Sequence, residues 1–109
     1  MHTGITMADP PYALGKLAEA VHKLVTGAGR VQERLGEAAI CLLSVRPDEI
    51  PEDLRRVLVG LKDDLGFEPA QGDEERIAAT MRITSDEDAR AVASRIFDLY
   101  LDLDRRLLR

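Results

Sequence analysis

From Pro10 to the C-terminal end, the apolar positions of this chain recur with the period of a helix, and no alternating run is long enough to make a strand. Leu14, Leu17, Ala18, Val21, Leu24 and Val25 fall at i, i+3, i+4, i+7 spacing and predict a first amphipathic helix. Asp9 is placed to cap it, and Pro10 and Pro11 suit its first turn. Gly27 ends it, because glycine adopts the left-handed conformation that closes a helix. A second helix is predicted from Arg30 to Ser44, with Val31, Leu35, Ala38, Ala39 and Leu42 as its stripe. Ile40, Cys41 and Leu43 add apolar surface on other sides, which predicts that its second half is surrounded.

Pro47 and Pro51 then interrupt the pattern, so 46–50 should be a loop or a single turn. A third helix starts near Pro51, with Glu52 and Asp53 suiting the positive end of the helix dipole. Its face is Leu54, Val57, Leu58, Leu61 and Leu65, and Gly66 stops it. After the loop FEPAQGD, a short fourth helix should run from Asp73 to Arg82. Ser85 caps a fifth and longest helix, Asp86 to Leu107, with Asp88 in the capping-box position. Its main stripe is Ala89, Val92, Ala93, Ile96, Leu99, Tyr100, Leu103 and Leu107; Phe97, Leu101 and Leu108 form a second line beside it.

These elements predict an all-α protein: a compact bundle of four to five helices with the long C-terminal helix as its spine. Residues 1–8 read as a flexible tail and 9–109 as a single domain, in keeping with a length of 109 residues. A formal net charge of −5 argues against nonspecific nucleic-acid binding and against anionic membrane surfaces. No apolar run approaches the length of a membrane span, and the first residues do not form a secretory signal. A single cysteine, Cys41, excludes an internal disulfide and reads as a small core residue; together these features predict a cytoplasmic location.

Chemistry is sparse. GAGRVQERLG, residues 27–36, has glutamine where a G-x-G-x-x-G loop needs its third glycine, and it follows a helix rather than a strand. It reads as the turn of a helical hairpin. Glu19 and His22 form an E-x-x-H pair of the kind that di-metal helical bundles use, and Glu33 and Glu37 could add carboxylates if two copies pooled their sets. Yet Glu19 and His22 lie off the apolar stripe, where a solvated surface is expected. The segment 76–96 has the outline of a helix-turn-helix, but its would-be reading helix opens Asp86-Glu87-Asp88, the wrong charge for phosphates. The acidic residues Asp63, Asp64, Asp73, Glu74, Glu75, Asp98, Asp102 and Asp104 read as solvated faces, and no calcium-loop spacing occurs.

The surplus apolar surface of the last helix is the positive signal. It predicts a non-enzymatic interaction or regulatory module without a cofactor, acting through Phe97, Tyr100, Leu101 and Leu108 on a second copy or another protein. The alternative is a metal-binding bundle or metal-dependent enzyme assembled in a dimer, with Glu19, His22, Glu33 and Glu37 as ligands.

Overall fold

A computed structural model describes residues 10–67 and 74–107. The expected cap Asp9, the tail 1–8, the loop residues 68–73, Leu108 and Arg109 lie outside the described residues. The described chain is all-helical, without strands: α1 Pro10–Thr26, α2 Val31–Cys41, a single 3₁₀ turn Pro47–Glu49, α3 Glu52–Asp64, α4 Glu74–Arg82 and α5 Asp86–Leu107.

Each boundary has a local cause. Gly29 takes φ +91° between α1 and α2, and a side chain there would collide with the Glu33 carboxylate. That carboxylate accepts the Arg30 N–H at 2.7 Å, satisfying a donor at the start of α2. Arg34 reaches back from α2 and donates to the Leu24 carbonyl of α1 at 3.0 Å, so the hairpin is tied from both sides. Glu49 performs the same service as Glu33, accepting the Arg46 N–H at 2.8 Å, but is buried. At the end of α3, Gly66 has φ +88°; Phe67 N–H donates to the Lys62 carbonyl at 2.9 Å and Gly66 N–H to the Asp63 carbonyl at 3.1 Å. This is the Schellman closure. Ser85 caps α5 as its sequence predicts, its Oγ accepting the Asp88 N–H at 3.0 Å.

The core draws on all five helices. Ala13, Leu17 and Ala20 of α1 meet Leu35, Ala38 and Ala39 of α2; Leu54, Leu58 and Leu61 of α3 and Ala89, Ile96, Leu99 and Leu103 of α5 complete it. Each large side chain so buried contributes roughly 1.5–3 kcal/mol of transfer free energy. α5 packs against α1, α2 and α3, which makes it the spine of the bundle. It runs antiparallel to α3, since Arg95 pairs with Asp64 and Arg106 grips Asp53 with two bonds of 2.9 and 2.6 Å. α4 rests on α2 through Ile77 and Met81, its two buried residues.

Four expectations are corrected. α2 ends at Cys41, not Ser44: Leu43 N–H bonds to Ile40 and Val45 N–H to Leu42 in tight turns that bring Val45 and Ile50 into the core. Ile40 is not surrounded, because α4 covers only part of that side of α2, and it stays 41% exposed. Val25, Val57 and Leu107 continue the stripes of α1, α3 and α5 but are exposed. Val25 lies in the last turn of α1 beside Leu24, which takes the place against the core there, and Leu107 lies at the described end of α5; Val57 sits at the edge of its stripe beside the deeper Leu54–Leu58–Leu61 line. Cys41 is half-buried rather than a full core residue, and burial, with a smaller effect from Glu19, pushes its thiol above the usual value.

Candidate functional site

The outer face of α5 is built around an aromatic pair. Phe97 and Tyr100 stand three residues apart on one side of the helix; their ring centroids are 6.4 Å apart and the planes are inclined by 27°. The two rings differ in setting. Tyr100 is half-buried and packs against the core, whereas Phe97 is 45% exposed. Leu101, one turn beyond Phe97, is half-buried. Three of the four side chains expected on this face therefore occupy adjoining positions, graded from core to solvent; the fourth, Leu108, lies outside the described residues. The face is held in place by ion pairs at its back: Arg95–Asp64 toward one end and Arg106–Asp53 toward the other. The Arg106 guanidinium, through its hydrogen bonds, holds the Asp53 carboxyl below the usual range.

At the start of α5, Asp86 is occupied internally. Its Oδ1 accepts from Gln32 Nε2 at 2.6 Å and from Arg30 Nη2 at 3.3 Å, and the Gln32 bond, followed by that of Arg30, lowers its pKa. Gln32 also donates to the Thr84 carbonyl at 3.0 Å. This cluster pins the α4–α5 turn to the start of α2, so the first carboxylate of the would-be reading helix, Asp86, bonds to the protein's own amide and guanidinium groups, while Glu87 and Asp88 are exposed. Ile83 in that turn is 87% exposed.

Between α2 and α4 runs a groove that apolar periodicity does not foreshadow. It encloses about 470 Å³ over a floor of Gly36, Ile40, Ile77, Ala78 and Met81, with Arg30, Glu33, Glu37, Glu74 and Arg82 along its rim. The helices flanking it are antiparallel, since Gln32 meets Thr84 and a side chain at Gly36 would touch Met81. Apolar periodicity identified Ile40 as surplus surface on α2, but its relation to α4 depends on the tertiary path of the chain.

The metal-ligand candidates are dispersed. Glu19 and His22 sit on the exposed side of α1, and Glu19 lies 3.5 Å from Lys16. Glu33 serves as the α2 cap, and Glu37 borders the α2–α4 groove. Within one copy, no group of three or more His, Cys, Asp or Glu side chains among the described residues is arranged to hold a metal ion. Asp102 pairs locally with Arg105 at 3.5 Å. Lys62 is a structural tether: its Nζ donates to the Val45 carbonyl and lies 5.4 Å from the centre of the Phe67 ring, and desolvation lowers its pKa against the opposing pull of Glu49. No helix among the described residues is long and apolar enough to cross a membrane. The chain matches no protein-family model, no curated protein and no solved structure.

Proposed function

We propose that the protein is a non-enzymatic interaction module, and that the outer face of α5 is where a protein partner docks. The observation that carries this reading is the exposed Phe97 ring stacked on half-buried Tyr100. The whole chain has two phenylalanines and two tyrosines, and one of each is placed here. A rigid aromatic pair with its base in the core offers large apolar area at little entropic cost, which is how interface anchors work. Leu101 extends the patch by one helical turn.

The test is a pair of charge insertions. Phe97→Asp and Leu101→Asp are compared with the parent by native mass spectrometry of untagged protein, and by circular dichroism to establish that each variant folds. The expected result is loss of any assembly heavier than the 12.1 kDa chain while the helical spectrum is retained. Because Phe97 is more exposed than Leu101, its variant keeps the test decisive if Leu101→Asp unfolds. A folded Phe97→Asp protein with unchanged assembly would sink the assignment.

A further inference from the structure

We infer that the occupant of the α5 face is a second copy of this chain, with its α5 laid antiparallel across Phe97; the inference rests on the interaction reading above. α5 spans Asp86–Leu107, and Phe97 stands at its midpoint. A twofold axis through the middle of an antiparallel helix pair brings the same residue of each copy together, so an exposed anchor at the midpoint meets its own counterpart.

The flanking residues fit that register. Seven residues make two helical turns less about 20°, so positions seven before and seven after Phe97 share its face. They are Arg90 and Asp104, opposite in charge. Neither makes a close ion pair among the described residues, although Arg90 adds a minor charge interaction with Asp86 one turn before it; Arg90 is exposed and Asp104 half-buried. Antiparallel pairing about Phe97 sets Arg90 of each copy against Asp104 of the other, twice per dimer. A parallel pairing would instead stack Arg90 on Arg90 and Asp104 on Asp104, which is repulsive. In the antiparallel register half-buried Ala93 falls opposite Leu101, a small residue facing a large one. The first turn of α5 is acidic and its last turn basic, so the helix ends also attract in this arrangement.

The experiment combines charge reversal with cross-linking in the full chain. Arg90→Asp and Asp104→Arg should each weaken dimerisation by about tenfold in sedimentation at low salt, and the double variant should recover most of the loss. In a Cys41→Ser background, Phe97→Cys should oxidise to a covalent dimer. Arg90→Cys should not cross-link to itself, since its two copies lie on the order of 20 Å apart along the pair. A protein that is monomeric at all concentrations overturns the second-copy assignment. A dimer lost in Phe97→Asp but indifferent to both charge reversals overturns the antiparallel register alone and leaves the face reading standing. A dimer indifferent to all of these variants overturns both.

Discussion

Replacing Gly29 with alanine tests the hairpin on which the rest of the bundle is assembled. Gly29 holds φ +91°, a conformation that costs an L-residue about 1–2 kcal/mol. The added methyl would also collide with Glu33 Oε1, and that carboxylate sits at the end of a flexible side chain, so it swings away rather than straining the backbone. In moving it gives up the 2.7 Å bond from Arg30 N–H, an N-terminal cap whose loss costs about 1 kcal/mol. Gly29→Ala should therefore destabilise the protein by about 2–3 kcal/mol, read as a lower urea midpoint at unchanged slope by circular dichroism. A double-mutant cycle separates the two parts. In a Glu33→Ala background the cap is already gone, so Gly29→Ala should cost only the backbone part, about 1–2 kcal/mol. A loss equal in both backgrounds would show that the added methyl leaves the Glu33 cap in place, and would refute this account of the turn.

Two further outcomes are expected. Asp86 has a folded-state pKa below its ordinary 3.8, so its contribution to stability is present above that value and is lost as pH falls through the depressed folded-state pKa; Asp86→Asn should lower the urea midpoint at neutral pH, and the gap from the parent should shrink well below pH 3.8, whereas a gap constant across that range would remove the Gln32–Arg30 cluster as its cause. On α5, Ile96→Ala should cost about 2–5 kcal/mol of folding stability because Ile96 is fully buried, while its neighbour Phe97→Ala should cost about 1 kcal/mol or less and act on association instead; equal stability losses would mean that Phe97 is a core residue.

Much of the architecture is legible in the chain because its signals are local. Ser85 with Asp88 marks the start of α5, and Gly66 marks the close of α3, since a capping hydroxyl and a left-handed glycine act on the backbone within a few residues. The GAG turn is legible for the same reason, although the left-handed glycine that closes it is Gly29 rather than the expected Gly27. Helical periodicity likewise separates Ile96, Leu99 and Leu103, which are buried, from Phe97 beside them.

The sequence by itself therefore determined the helices, their order, most of their apolar faces and the anomaly of a wide face on the last one. How far each stripe is covered depends on the packing of the bundle. Val25 obeys the period of α1 and is 73% exposed, while its neighbour Leu24 packs against the core. The tertiary structure also decided the tasks of the polar residues. Glu33 became a cap, Asp86 became the hub that joins α2 to α5, and Ile40 became part of a groove, because each role depends on partners placed by packing. Periodicity reports which side of a helix is apolar; whether another element reaches that side is a property of the assembled bundle.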